Sequence, residues 1–82
     1  MIINLNIMEL QDFIANFAEQ FDDTDASEIK ADTEFKELDE WSSLIALSVI
    51  AFVKMEYGKS ITGAQIRSCN TVKELFELVY SL

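Results

Sequence analysis

The sequence predicts an all-α protein: a four-helix bundle with a long connection between the first two helices and a short third helix. Two observations lead to this prediction. Apolar residues recur at helical spacing in separate segments, and two capping-box patterns mark the starts of the last two helices. With 82 residues, the chain has room for one small core, so we expect residues 1–82 to form a single domain.

The first helix is expected over residues 7–21. Asn6 suits the N-cap position, and Glu9 would then lie in the first turn, where an acid is favourable. The apolar residues of this segment recur at helical spacing: Leu10, Ile14, Phe17 and Phe21.

A long connection is expected from Asp22 to Trp41. It opens with Asp, Thr and Ser residues, whose side chains compete with a helix by bonding to their own backbone. No Pro occurs in the chain, and no Gly occurs before Gly58. Apolar residues are spaced through this charged stretch, which predicts an ordered loop that is anchored to the core: Ile29, Phe35, Leu38 and Trp41.

The second helix is expected from Ser43 to Tyr57. Gly58 is suited to end it in the left-handed conformation. The stripe expected to face the core consists of Leu47, Ile50, Val53 and Tyr57.

Two capping boxes predict the last two helices. Thr62 with Gln65 opens a short third helix near residues 62–68, and Thr71 with Glu74 opens a fourth from 72 to 80. The expected buried face of the fourth helix is Val72, Leu75, Phe76 and Val79.

The net negative charge comes from the first half of the chain. The net charge is −9, with a net of −10 over residues 1–40 and +1 over residues 41–82. This balance argues against a nucleic-acid-binding surface, which needs clustered Lys and Arg. Partners with basic faces would instead be steered toward the first half.

Several features favour a cytoplasmic protein. No apolar run approaches the roughly 18 residues needed to cross a bilayer, and the start of the chain lacks the basic region of a signal peptide. The single Cys69 cannot form an intramolecular disulfide, and we expect it to be a small, partly buried apolar residue.

The sequence offers little for catalysis, and we expect the protein not to be an enzyme. Histidine is absent, and neither Cys69 nor Ser43 has a basic partner in the sequence to activate it. Two glycines, Gly58 and Gly63, cannot build a phosphate-binding loop.

One acidic segment matches a calcium-loop frame in part, with Asp23, Asp25, Ser27 and Glu34 at positions 1, 3, 5 and 12. Glu28 stands where that loop needs Gly for its turn. We therefore expect a solvated acidic loop and no metal site.

Four segments carry a family resemblance: residues 28–38 with Ile29 and the run Asp32–Phe35, then 41–44 with Ser43–Leu44, 56–61 and 71–75. Together they resemble the acyl carrier protein family over nearly the whole chain, with the spacing from the serine to Glu56-Tyr57-Gly58 kept. The resemblance implies a bundle of the acyl-carrier type.

The resemblance also implies that Ser43 is esterified by 4′-phosphopantetheine, whose terminal thiol carries an acyl group as a thioester. The implied partners are a phosphopantetheinyl transferase, an acyl-loading ligase or transacylase, and downstream acyl-transfer or condensing enzymes. Coenzyme A and magnesium would belong to the transferase. A phosphodiester at the first residue of a helix is also physically favourable, because unpaired amides and the positive dipole end surround it.

Ser42 stands where the family has Asp. It keeps the N-cap function without the carboxylate, and it is also the alternative attachment site.

The second helix is apolar on more than one side. Ile45, Phe52 and Met55 are spaced to fall near one line, which we expect to dock a partner; the alternative is that the loop or the third helix covers it. We expect a monomer, with weak self-association possible through this line. The partner-binding residues predicted are Trp41, Ser42, Leu44, Ile45, Ser48, Phe52 and Met55.

Two other functions stay open. The chain could be an unmodified interaction module with the carrier fold, or a free-standing aminoacyl or peptidyl carrier with the same attachment chemistry and different cargo.

Overall fold

The computed structural model describes residues 2–82, with side chains described from Glu9 onward. Four α-helices follow one another: α1 (Ile2–Ala18), α2 (Ser43–Tyr57), α3 (Gly63–Arg67) and α4 (Val72–Ser81). Within residues 2–82 there is no β-strand, only an isolated antiparallel bridge between Glu34 and Thr71. The predicted all-helical class, with a long connection and a short third helix, is confirmed.

The first helix differs from its prediction at both ends. It begins at Ile2, so Asn6 lies inside the helix and is not its N-cap; the Asn6 side chain lies outside the described part. It ends at Ala18, and the turn that follows places Phe21 in the core, with the Phe21 amide donating to the Ala18 carbonyl oxygen at 3.1 Å. The helical spacing of apolar residues therefore continues through a turn that is not α-helical, and this is why the predicted helix was too long at this end.

The ends of the later helices agree with their predictions. Gly58 adopts a φ of 68° and a ψ of 21°, the left-handed conformation that terminates a helix with little strain only for glycine. Thr62 and Thr71 each accept a hydrogen bond from the third residue of their helices, and Gln65 and Glu74 return one. Both capping boxes are therefore formed.

Aromatic rings fill the core. The ring of Phe13 lies 5.5 Å from those of Phe52 and Phe76 and 5.8 Å from that of Tyr57, measured between centroids. Phe13 thus joins α1 to α2 and α4. A second group of rings lies around Phe17 near the start of α2: Phe17, Phe21, Phe35 and Trp41.

The long connection is ordered by these contacts, as predicted. Ile29 and Phe35 are buried, while Leu38 and Trp41 are half-buried against the core. Its backbone also binds the start of α4, because the amides of residues 72 and 73 donate to the carbonyl oxygens of residues 33 and 31 at 3.1 and 2.9 Å. The connection is therefore held in two ways. Its apolar side chains pack against the core, and its backbone binds the start of α4.

Glu40 fixes the start of the connection to its end. Its carboxylate accepts the backbone amides of Asp22, Asp23 and Thr24 at 2.7, 3.0 and 2.9 Å, and the Thr24 hydroxyl at 2.8 Å. Burial acts to raise the pKa of Glu40, but the hydrogen bonds from Thr24, Asp22 and Asp23 outweigh it and lower the pKa below its ordinary 4.5. The ionised form is the one that the fold stabilises.

Replacing Glu40 with Gln is expected to lower the melting temperature at pH 7. Because folding lowers the Glu40 pKa, its stabilisation is present above the ordinary carboxyl pKa and is lost as the pH falls through the folded value. The difference in melting temperature between wild type and E40Q should therefore shrink between pH 7 and pH 3. Circular dichroism melts at both pH values measure it, with E37Q, an exposed neighbour, as control. A difference that is the same at both pH values contradicts the assignment.

Candidate functional site

Ser43 is the first residue of α2, and its side chain is exposed. The residue before it supplies the cap: Ser42 is extended, its Oγ accepts the Ile45 amide at 3.3 Å, and its carbonyl accepts the Ala46 amide at 3.0 Å. The two adjacent hydroxyls thus differ in role. The Ser42 hydroxyl caps the helix, and the Ser43 hydroxyl takes no part in the cap.

The segment before Ser43 is held firmly. The Trp41 ring stacks on Phe17 at 6.3 Å with 11° between the planes, and it meets Phe35 edge-on at 4.9 Å. Glu40, one residue earlier, binds the turn after α1 through four hydrogen bonds. Two consecutive side chains therefore fix the position of the amino end of α2. Trp41, predicted to bind a partner, is half-buried in this ring cluster.

The amino end of α2 is suited to an anion. The amides of Ser43 and Leu44 precede the first intrahelical hydrogen bonds, and the first turn carries no acidic side chain. A helix of fifteen residues adds the positive end of its dipole. A phosphodiester on the Ser43 oxygen therefore fits the residues present: it would meet unpaired amides and no carboxylate within the first turn.

The expected docking line on α2 is wrong at two of its three residues. Ile45 is 9% exposed and Phe52 is 7% exposed, whereas Met55 is 80% exposed. Phe52 packs against Phe13 of α1, so that α1 covers this side of the helix. The alternative to partner docking, burial within the protein, therefore applies to Ile45 and Phe52. Phe52 is covered by α1, and not by the loop or the third helix.

A different apolar line of α2 faces outward. Leu44 is 73% exposed and Leu47 is 61% exposed, and both lie on the same side as Ala51 and Met55 because the spacings are three, four and four residues. We call these four residues the α2 stripe. Leu47 was expected in the core, and this expectation is wrong. Val53 is buried as expected, and Ile50 and Tyr57 are half-buried.

The α2 stripe begins beside Ser43 and carries no charge. Ser48, also predicted to bind a partner, is half-buried at its edge, in a shallow groove shared with Asn16 and Gln20 of the α1 side. The only charged residues of α2 are Lys54 and Glu56, which cancel. The surface next to the serine is therefore apolar and neutral, although the first forty residues are strongly acidic.

One acidic side chain of the partial calcium frame, that of Asp25, binds the backbone. Asp25 caps a short 3-10 turn at Ala26–Glu28, and hydrogen bonds from the Ser27 amide and hydroxyl lower the pKa of its carboxyl. Glu34 takes part in the bridge to Thr71. Among residues 2–82, no three Asp, Glu, Cys or His side chains are grouped so that they could hold a metal ion.

Two further expectations concern the burial of Cys69 and the length of the apolar helices. Cys69 was expected to be partly buried; it is buried in the core, and burial raises the pKa of its thiol. None of the helices in the described chain is long and apolar enough to span a bilayer.

Comparison with known proteins identifies no relative: no protein-family model, curated protein or solved structure matches the chain. Any function assigned to it rests on the chemistry and geometry of the residues above.

Proposed function

We propose that the chain is a carrier protein of the acyl-carrier type, with 4′-phosphopantetheine attached to Ser43. The observation that supports this best is the exposed Ser43 hydroxyl at the first position of α2, next to a Ser42 hydroxyl that is occupied as the cap. The arm supplies a thiol that holds an acyl group as a thioester. The chain itself holds and presents the arm, and catalysis belongs to its partners.

The partners are enzymes that must reach Ser43 in turn: a phosphopantetheinyl transferase, an acyl-loading ligase or transacylase, and downstream acyl-transfer or condensing enzymes of the cytoplasm. The α2 stripe supports docking beside the attachment point, since Leu44 adjoins Ser43 and Leu47 lies one turn further on. The acidic first half adds long-range attraction to basic surfaces, which salt weakens.

Co-expression with a promiscuous phosphopantetheinyl transferase is expected to add the mass of one phosphopantetheine to the wild-type chain. Ser43→Ala should abolish this gain completely, because it removes the only oxygen that the proposal modifies. Ser42→Ala should keep it, because the Ser42 oxygen serves the helix and not the arm. Intact-mass spectrometry of the purified proteins measures all three.

Folding is the control for this experiment. Removing the cap in S42A costs about 1 kcal/mol, so both variants are checked by circular dichroism before their masses are compared. A gain that persists in S43A and disappears in S42A would move the site to Ser42. An unmodified wild type would refute the carrier proposal and favour the second candidate, an interaction module that binds through the exposed α2 stripe alone.

Attachment at Ser43 does not by itself distinguish acyl cargo from aminoacyl or peptidyl cargo, since all three would be thioesters on the same thiol. The overall acidity of the chain mildly favours acyl cargo.

A further inference from the structure

One carboxylate sets the position of the segment that leads into Ser43. Glu40 lies at the end of the long connection, three residues before Ser43, and its side chain is half-buried. Both of its oxygens are used. Oε2 accepts the Asp22 amide at 2.7 Å, and Oε1 accepts the Asp23 and Thr24 amides at 3.0 and 2.9 Å and the Thr24 hydroxyl at 2.8 Å. We call these four hydrogen bonds the Glu40 clamp.

The Glu40 clamp joins two segments that are 16 to 18 residues apart in the chain. Its donors are three consecutive amides and one hydroxyl of the turn that follows α1, so a single side chain fixes this turn to the start of α2. Hydrogen bonds to an ionised carboxylate are roughly twice as strong as those between neutral groups. The clamp is therefore a firm link between the end of α1 and the start of α2.

Consecutive residues carry this restraint from Glu40 to Ser43. The Trp41 amide donates to the Leu38 carbonyl oxygen at 3.0 Å, and the Trp41 ring packs within the second group of rings. Ser42 is held as the cap of α2. The Ser43 side chain is exposed and takes no part in the cap, so the position of its oxygen depends on the residues that precede it.

The attachment of the arm depends closely on where that oxygen lies. In this reaction the Ser43 oxygen forms a bond to the phosphorus of coenzyme A that carries the pantetheine. The bond from that phosphorus to the leaving adenosine bisphosphate breaks, and the serine proton passes to a base of the transferase. Reacting atoms must approach to about 3 to 3.5 Å in line, and a misplacement of about 1 Å can slow a reaction about a hundredfold.

We propose that Glu40 is a positioning residue for this attachment: its clamp holds the amino end of α2 so that the Ser43 oxygen meets the phosphorus once the transferase has docked. This inference rests on the proposed function. It separates positioning from docking, because the clamp lies before Ser43 whereas the α2 stripe extends along the helix after it. Loss of the clamp should therefore lower kcat and leave the KM for the carrier unchanged.

The test is the kinetics of arm attachment by a promiscuous phosphopantetheinyl transferase, at a temperature where circular dichroism shows every variant to be folded. Glu40→Ala removes the clamp and should lower kcat by about tenfold or more at unchanged KM. Glu37→Ala removes the same side chain from an exposed position of the connection and should keep both wild-type values. Thr62→Ala removes the cap of α3 and lowers stability away from the clamp, so it should also keep both values.

A second measurement does not need the transferase. The amides of Ile45 and Ala46 donate to Ser42 at the start of α2, so their hydrogen exchange reports how well this end is held. In E40A their exchange should accelerate by several-fold relative to that of the buried Val53 amide in the same helix. In the variant without the α3 cap, the same ratio should equal that of wild type.

The outcomes separate this inference from the proposed function. A wild type that the transferase does not modify refutes both, whereas a modified wild type with the same kcat in E40A refutes the positioning role alone. Equal losses in E40A and T62A would assign the effect to stability, and a raised KM at unchanged kcat would assign Glu40 to docking; either result overturns the inference, as does unchanged relative exchange in E40A. If E40A does not fold, Glu40→Gln keeps the size of the side chain, removes one acceptor oxygen, and should lower kcat by several-fold at unchanged KM.

Discussion

Replacing Phe13 with Ala should lower the free energy of unfolding by about 3 to 5 kcal/mol. The Phe13 side chain is fully buried, and its ring contacts those of Phe52, Phe76 and Tyr57 from two other helices. Because these neighbours are rigid rings, they cannot collapse fully into the space that the mutation leaves. Small domains are stable by about 5 to 15 kcal/mol, so F13A should approach the limit of folding at 25 °C.

Urea denaturation followed by circular dichroism measures this difference. Met55→Ala removes a large apolar side chain from the exposed α2 stripe and should change the stability by less than about 0.5 kcal/mol. The two variants thus compare apolar truncation inside and outside the core of one protein. A loss below about 1.5 kcal/mol in F13A would show that the aromatic cluster is less tightly packed than described.

The helix boundaries that were predictable are those set by local chemistry. Gly58 ends α2 because a positive φ suits glycine, and Thr62 and Thr71 start α3 and α4 because their side chains bind nearby amides. Such interactions involve residues three or four positions apart, so a sequence pattern contains all of their partners. Asn6 shows the limit, since a suitable residue does not become a cap when the helix continues past it.

The orientation of α2 could not be predicted from its pattern. Apolar residues lie on nearly all of its sides, so a stripe through Leu47 and one through Ile45 and Phe52 are equally regular in sequence. Contact with α1 decides between them, because Phe13 covers Phe52 and leaves Leu47 outside. Such a contact joins residues about forty positions apart, and helical periodicity does not contain it.

The same distinction applies to the candidate site at the start of α2. The family resemblance and the expected start of the second helix singled out Ser43, and the structure confirms its position at the start of α2; its role as an attachment site stays a proposal. The exposure of Leu47, which lies one turn further along α2, was missed because it depends on how α1 packs against α2.

Two substitutions on α2 that introduce the same charge should differ widely in their effect on stability. Phe52→Glu should lower the free energy of unfolding by about 4 kcal/mol or more, because it removes a buried ring and places a charge among Phe13 and Tyr57. Met55→Glu should change the stability by less than about 0.5 kcal/mol, because its side chain lies in solvent. Urea denaturation of both variants measures the contrast, and similar stabilities would contradict the described faces of α2.

Met55→Glu also tests docking, because it puts a charge on the apolar α2 stripe without unfolding the protein. If the transferase docks there, M55E should raise the KM for phosphopantetheine attachment by about tenfold and leave kcat nearly unchanged, since the charge weakens binding and does not touch Ser43. Lys73→Gln makes the same change of one unit in net charge at an exposed position of α4, and its KM should equal that of wild type. A KM for M55E equal to that of wild type would contradict docking on the stripe, and an equal rise in M55E and K73Q would mean that net charge, and not the stripe, governs recognition by the transferase.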